Sequence, residues 1–340
     1  MAESIANRVN RWDLSGAKTT TDALFNQVHE RVFFLQHLHY NQYLPTLGAE
    51  QFDFETRLEK WLDNLPSEQD QQVLLELVPQ IIFLGREEFT KMYQAAFRGP
   101  ITRWVVDRMD VKFTDVNLQT KLTQEIHKHT WFCALSDSMP ISDFCHANHL
   151  GGIEYRPDLR ALSTLGDLHR ILNFMNSHSD AEGQPVPLTR IVALEDFIGS
   201  GTQLRDAMCL ISDLLANNVP ILLVPLVICP EGEATIRSLF GGNPLFRLEP
   251  VLRLENAILV HAGSTAEPGS LPARVKDLVG RCYGQVRGNG KGNPLYSPFG
   301  FRETGALVVL VSNTPANTLP IIHHRSSTWE PLFPRSARVK

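Results

Sequence analysis

The stretch of sequence that decides the fold is Ile191-Val-Ala-Leu-Glu-Asp-Phe-Ile-Gly-Ser-Gly-Thr202. It begins in a predicted strand over residues 190–194 and passes through two acidic residues into a loop of glycine and hydroxyl residues. Apolar side chains three and four positions apart then predict a helix up to Leu215, and the apolar run 219–229 predicts a second strand. Two apolar strands joined through a helix indicate a parallel sheet covered on both faces, so the sequence predicts an α/β domain.

The same alternation of helix and strand is predicted from about residue 114 onwards. Further helices are expected over residues 117–128 and from residue 141, and further strands over residues 131–135, 257–261 and 306–311. We therefore assign residues 114–340 to this α/β domain.

The preceding residues are predicted to be helical, because none of their segments alternates with period two. Helices are expected over residues 20–35, 67–84 and 86–97. We therefore assign residues 1–113 to an all-helical N-terminal module. Helical spacing of apolar residues is typical of a core, which is expected to take the aromatic side chains Phe33, Phe34, Trp61 and Phe83.

The composition of the 340 residues is that of an ordinary globular protein, with 43% hydrophobic and 20% charged residues. The formal net charge of -5 argues against a broad basic face for nucleic acid, although it leaves room for a local cationic groove. The five cysteines include no Cys-x-x-Cys pair, and no apolar window is long enough to span a bilayer. These features predict a soluble, cytoplasmic protein that does not insert into a membrane.

The loop after the first strand is suited to phosphate, since glycines let backbone amides approach an anion and a helix N-terminus supplies a favourable dipole. The residues of this phosphate loop are Gly199, Ser200, Gly201 and Thr202. The acidic pair Glu195 and Asp196 would repel phosphate, but ionised carboxylates accept hydrogen bonds from the two hydroxyls of a vicinal diol. A ribose ligand, with two adjacent hydroxyls, therefore explains why two carboxylates stand next to a phosphate loop. The alternative is a plain glycine-containing turn with two exposed carboxylates.

This run resembles the phosphoribosyl pyrophosphate signature of type I phosphoribosyltransferases, in which an apolar strand precedes two acidic residues, two apolar residues and a short loop of Thr, Ser and Gly. The resemblance implies that Glu195 and Asp196 are catalytic and face the ribose hydroxyls, while residues 199–202 hold the 5-phosphate. It also implies phosphoribosyl pyrophosphate or a nucleotide as ligand, and Mg2+ as cofactor.

A second strand-to-helix turn lies upstream, at Ser136, Asp137 and Ser138. In the family, an upstream loop of this kind binds pyrophosphate and its metal, so the resemblance makes these three residues candidates for that role and Asp137 the candidate metal ligand. The alternative is a cluster of N-cap residues before the next helix.

The tail segments 312–320 and 327–335 are similar to the end of phosphoribosyltransferase-like proteins of bacterial conflict and antiphage systems. The resemblance runs from about Thr114 to Arg335. It implies an effector of bacterial antiphage defence, with protein partners such as a retron reverse transcriptase with its nucleic acid and a winged-helix protein. The N-terminal helices would then be an interaction module.

Gly199 departs from the purine-salvage members, which carry an aspartate as general acid/base at this position. Salvage of hypoxanthine or guanine is therefore not expected. The sequence favours an Mg2+-dependent phosphoribosyltransferase-like enzyme acting at C1 of a ribose 5-phosphate, and leaves open a catalytically inactive nucleotide-binding regulatory or assembly subunit. The glycine-rich, basic stretch 281–294 is either a lid over the site or a surface loop.

Overall fold

The computed structural model describes residues 4–15, 25–46, 53–112, 114–150, 168–180, 183–202, 205–288 and 296–336. The chain divides into two compact units, one comprising residues 87–254 and the other residues 1–86 together with 255–340. The predicted domain boundary at residue 113 stays a prediction. Of the glycine-rich stretch 281–294, residues 289–294 lie outside the described residues, and residues 281–287 are the end of a helix and not part of a loop.

The helices are α1 (Ile5–Ser15), α2 (Phe25–Leu38), α3 (Phe54–Asp63), α4 (Glu68–Leu77), α5 (Arg86–Ala96), α6 (Thr102–Val106), α7 (Leu118–His129), α8 (Ile141–Ala147), α9 (Leu168–Ser177), α10 (Arg205–Ala216), α11 (Pro230–Phe240), α12 (Leu271–Arg287) and α13 (Pro320–His323). The strands are β1 (Ile82–Leu84), β2 (Thr130–Ala134), β3 (Arg190–Ile198), β4 (Ile221–Ile228), β5 (Phe246–Leu248), β6 (Leu252–Arg253), β7 (Tyr296–Ser297), β8 (Gly300–Phe301) and β9 (Val308–Leu310).

The unit of residues 87–254 is built on a parallel sheet. Its strand order is β2-β3-β4-β5, and β6 continues the edge beside the end of β4. Ala134 pairs with Leu194 in the register of β2 and β3, so both strands run toward the same edge of the sheet. The predicted α/β fold with a parallel sheet is confirmed.

Both faces of this sheet are covered by apolar side chains, as the continuous apolar strands require. On one face, Trp131 and Ile191 belong to a buried cluster with residues of α9, α10 and α11. On the other face, the Phe132 ring lies 5.8 Å from that of Phe144 in α8 and 6.4 Å from that of Phe97. Each fully buried side chain of this kind stabilises the fold by about 1.5–3 kcal/mol.

The unit formed by both ends of the chain joins the first helices to the tail. β1 pairs in parallel with β9, and the indole Nε1 of Trp61 donates to the carbonyl oxygen of Ile321 at 2.7 Å. Tyr43 Oη donates to the carbonyl oxygen of Pro334 at 2.9 Å. The tail segments contribute the buried side chains of Leu319, Trp329, Leu332 and Phe333 to the core of this unit.

Three predicted elements differ from the structure. The helix predicted to reach Leu84 ends at Leu77, because Pro79 lacks an amide hydrogen, and residues 82–84 instead pair with β9. The helix predicted to stop at residue 97 continues through a π-helical turn at Phe97–Ile101 into α6. The strand predicted over 257–261 is wrong, since a 3-10 helix occupies Asn256–Ile258.

The prediction that the aromatic side chains of the N-terminal helices lie in the core is confirmed only in part. Trp61 and Phe83 are buried, but Phe33 is 53% exposed and Phe34 is 62% exposed. Val32 takes the buried position on α2, and consecutive residues of a helix lie about 100° apart around its axis. One buried stripe therefore cannot include all three side chains.

Across the part of the chain that the structure describes, none of the helices combines the length and the apolar character needed to cross a lipid bilayer.

Candidate functional site

The acidic pair lies inside a strand and not in the loop that follows it. β3 extends four residues beyond its predicted end, to Ile198, so Glu195 and Asp196 are in its carboxyl-terminal half. Their side chains are only 3% and 4% exposed, respectively. The alternative of two carboxylates exposed on a plain turn is therefore wrong.

Two serine hydroxyls from the upstream turn bind the acidic pair. Ser136 Oγ donates to Glu195 Oε1 at 2.6 Å, and Ser138 Oγ donates to Asp196 Oδ1 at 3.0 Å. The two hydroxyl oxygens of this serine pair are themselves 2.7 Å apart. The turns predicted to share one site thus meet, because the carboxyl ends of β2 and β3 lie at the same sheet edge.

The remaining oxygen of Glu195 is unsatisfied. Within the described part of the chain, Glu195 Oε2 is buried and has no hydrogen-bond partner. Asp196 Oδ1, in contrast, also accepts from the backbone amide of Phe197 at 2.7 Å. A buried acceptor without a donor costs about 1–3 kcal/mol, which is typical of a site that a ligand completes.

Burial and the negative charge of Asp196, with a smaller effect from Asp137, raise the pKa of Glu195 well above its ordinary value. Burial disfavours the charged form of the carboxyl, and a neighbouring carboxylate disfavours it further.

This raised pKa predicts how stability depends on pH. Since the folded pKa of Glu195 exceeds the unfolded value of about 4.3, its contribution is fully present below that value and is lost as the pH rises through the folded pKa. We expect Glu195→Gln to remove this pH dependence, because a carboxamide does not titrate in this range. Urea unfolding of both proteins between about pH 5 and pH 8 measures it. The same pH dependence in the variant would contradict the expectation.

The phosphate loop follows β3 directly. Gly201 has a φ of +77°, a conformation that favours glycine, and it is buried. Ser200 Oγ and Thr202 Oγ1 lie 3.1 Å apart, and the Thr202 side chain is exposed. These two hydroxyls are thus available to an anion just before α10. Residues 203 and 204 lie outside the described residues.

Residues in the first turns of α11 pack against this loop. A Cβ atom on Gly232 would overlap the carbonyl oxygen of Gly199 and lie 2.8 Å from Ile198 Cγ2, so only glycine permits this close approach. Thr235 Oγ1 donates to the carbonyl oxygen of Ser200 at 3.3 Å. Neither supporting residue was predicted, because no helix was expected after residue 229; Pro230, at the start of α11, was the available signal for one.

Tyr93 of α5 is a buried residue, not predicted from the sequence, that lies close enough to Asp196 to be affected by its charge. Burial raises its pKa, and the charges of Asp143 in α8 and Asp196 act in the same direction. No local pattern identifies this residue, because α5 and β3 are about a hundred positions apart in the sequence.

The predicted Mg2+ cofactor stays a prediction. Over the described residues, no three His, Cys, Asp or Glu side chains are grouped to bind a metal ion. Mg2+ commonly takes one or two protein carboxylates and completes its shell with water and ligand phosphates. Asp137, the predicted metal ligand, has an exposed side chain at this edge of the sheet.

A parallel sheet with carboxylates and a glycine-containing loop at one strand end defines this chain as phosphoribosyltransferase-like. The PRTase-CE family matches residues 58–335, and the chain belongs to that family. No curated protein matches the sequence. Family membership confirms the predicted resemblance to phosphoribosyltransferases and indicates a function of that general type, with a phosphoribosyl compound or a nucleotide as ligand.

Proposed function

We propose that this protein acts at C1 of a ribose 5-phosphate, with phosphoribosyl pyrophosphate or a nucleotide as substrate and Mg2+ as cofactor. The observation that carries the proposal is the acidic pair, which is buried beside the phosphate loop and retains an unpartnered oxygen on Glu195. A plain structural turn has no reason to bury two adjacent carboxylates, because burial of charge is costly.

Catalysis would arise from positioning and charge. The phosphate loop holds the 5-phosphate, and Glu195 and Asp196 accept the ribose hydroxyls and stabilise positive charge that develops on the sugar. Mg2+, when bound, supplies positive charge to a leaving pyrophosphate. Ser136, Asp137 and Ser138 lie at the same edge of the sheet, where such a leaving group would be placed.

The test is consumption of phosphoribosyl pyrophosphate by the purified protein, with and without Mg2+. We expect Mg2+-dependent loss of substrate with the wild type, and roughly a hundredfold slower loss with Glu195→Gln, as is typical when one charge-stabilising group is removed. Binding without turnover under all conditions would favour the second candidate.

That second candidate is a nucleotide-binding regulatory or assembly subunit without catalysis. Two observations favour it: Gly199 stands where salvage enzymes carry a general acid/base, and the serine pair already binds the acidic pair. Retention of a nucleotide through purification, identified by mass spectrometry, together with no turnover would support this function.

Thr202→Val tests phosphate binding separately from ribose recognition. The substitution keeps the shape and removes one exposed hydroxyl donor, whose hydrogen bond to a charged acceptor is worth about 1.5–3 kcal/mol. We expect the affinity for ribose 5-phosphate to fall by roughly ten- to a hundredfold, with little change for unphosphorylated ribose. Calorimetric titration measures both. The control is Thr189→Val, an exposed threonine just before β3. Equal losses for both sugars would contradict a phosphate role.

An effector role in bacterial antiphage defence is proposed on the resemblance of the tail segments. The partners would be a reverse transcriptase with its nucleic acid and a winged-helix protein. Plaque counts on cells that carry the complete system test this role. Glu195→Gln should abolish protection if the site is needed, and full protection by that variant would argue against the role.

The exposed aromatic side chains of α2 suggest where such a protein partner binds. Phe34 and Leu38 are four positions apart and are 62% and 46% exposed, and Phe34 lines a groove with Pro79. We expect Phe34→Arg to change the free energy of unfolding by less than about 0.5 kcal/mol and to abolish co-purification of the partner. Leu14→Arg, at a position of α1 that is 88% exposed, should leave co-purification intact. Retention of every partner by Phe34→Arg would refute this surface.

A further inference from the structure

The serine pair has the arrangement that two neighbouring hydroxyls of a ribose ring would have on the acidic pair. Its two hydroxyl oxygens lie 2.7 Å apart, and each donates to a different carboxylate. A vicinal diol likewise places two hydroxyls close together, because adjacent carbons bear them, and each can serve one carboxylate.

These hydroxyls are committed to the acidic pair. Ser136 Oγ contacts Glu195 and Ser138, and accepts from the amide of Ser138 at 3.3 Å. Ser138 Oγ contacts Ser136 and Asp196. The ladder between β2 and β3 ends one residue earlier, where the Leu135 amide donates to Leu194. Beyond Leu135, side-chain hydrogen bonds connect the turn to β3.

Burial shows which groups a ligand meets first. The carboxylates of the acidic pair are almost fully buried, whereas Ser136 and Ser138 are partly exposed and Asp137, between them, is exposed. A ribose ring can therefore reach the carboxylates only if the serine hydroxyls leave them.

We propose that the serine pair occupies the ribose site of the free protein, so that a ligand binds by exchanging its vicinal diol for the hydroxyls of Ser136 and Ser138. The proposal rests on the proposed function, in which the acidic pair accepts the ribose hydroxyls. The exchange keeps the number of hydrogen bonds to the carboxylates and frees the turn at 136–138. It also selects ligands with an intact diol, because a single hydroxyl can replace only one serine.

The serine pair is an incomplete substitute for a ligand. It leaves Glu195 Oε2 without a donor among the described residues, so the self-occupied site retains one unsatisfied buried oxygen. A bound ligand that adds a donor or a cation at this oxygen stabilises the exchanged state, which explains how an internal contact can yield to an external one.

The test is calorimetric titration of the Ser136→Ala plus Ser138→Ala variant with ribose 5-phosphate, 2-deoxyribose 5-phosphate and inorganic phosphate. Removing the competing hydroxyls should tighten ribose 5-phosphate binding by roughly tenfold, equal to about 1.4 kcal/mol. The 2-deoxy sugar should gain less, and inorganic phosphate should be unaffected. Ser177→Ala, an exposed serine of α9, is the matched control.

Each result decides the proposal. Weaker or unchanged binding of ribose 5-phosphate by the variant, with normal binding by the wild type, would overturn the exchange and leave the proposed function standing. No binding by either protein would remove the proposed function, and the exchange with it.

If the double variant does not fold, the wild type still provides a test. Hydrogen exchange of the Ser138 amide, which donates to Ser136 Oγ, should accelerate when ribose 5-phosphate is added. Unchanged or slower exchange at that amide in the complex would overturn the proposal.

Discussion

Replacing Glu195 by Gln together with Asp196 by Asn is expected to weaken ribose 5-phosphate binding by at least a hundredfold. Each substitution replaces an anionic acceptor by a neutral one, and a hydrogen bond to a charged group is worth about 1.5–3 kcal/mol. The amides are chosen because both side chains are buried, so alanine would create cavities and leave two serine hydroxyls without acceptors.

Calorimetric titration measures this loss, and circular dichroism establishes that the variant is folded. Asp213→Asn, an exposed carboxylate of α10, provides the matched control and should bind as the wild type does. A folded double variant that binds ribose 5-phosphate with wild-type affinity would exclude the acidic pair as the ribose site.

Gly232→Ala is expected to disrupt the phosphate loop from outside it. The added Cβ atom would overlap the carbonyl oxygen of Gly199, so the loop and α11 must separate. Overpacking of this kind costs about 1–3 kcal/mol of folding free energy. Because the loop moves as a whole, binding of ribose 5-phosphate and of inorganic phosphate should both fall by more than about tenfold, on the rule that 1.4 kcal/mol is tenfold.

The control for this effect is Gly242→Ala, since a Cβ atom there would meet no other atom within 4 Å. Binding and urea unfolding of the two variants should therefore differ clearly. If Gly232→Ala bound both anions as tightly as Gly242→Ala does, support of the loop by α11 would not matter for the site.

Local pattern was sufficient for the central elements of the α/β unit. The apolar runs that became β2, β3 and β4 are continuous because parallel strands are buried on both faces, and such runs are visible without knowledge of their neighbours. The phosphate loop could also be predicted from the sequence, but for a different reason. Gly201 adopts a positive φ, which favours glycine whatever the distant contacts of the loop are.

Predictions from the local spacing of apolar residues were wrong where distant segments decide the conformation. Residues 82–84 are a strand because β9, more than two hundred positions later, provides their backbone partners. Phe34 is exposed because the neighbours of α2 cover only the stripe that contains Val32. The spacing of apolar residues within a segment does not show which distant segment packs against it.

The candidate site shows the same division. The sequence by itself determined that two carboxylates precede a phosphate-type loop at the end of a strand, because these residues are consecutive and their chemistry does not depend on the rest of the fold. Only the tertiary structure decided that the carboxylates are buried, that Ser136 and Ser138 bind them, and that Gly232 supports the loop. The physical reason is that burial and hydrogen bonding depend on which distant segments approach a residue, and parallel pairing of β2 with β3 brings together side chains nearly sixty positions apart.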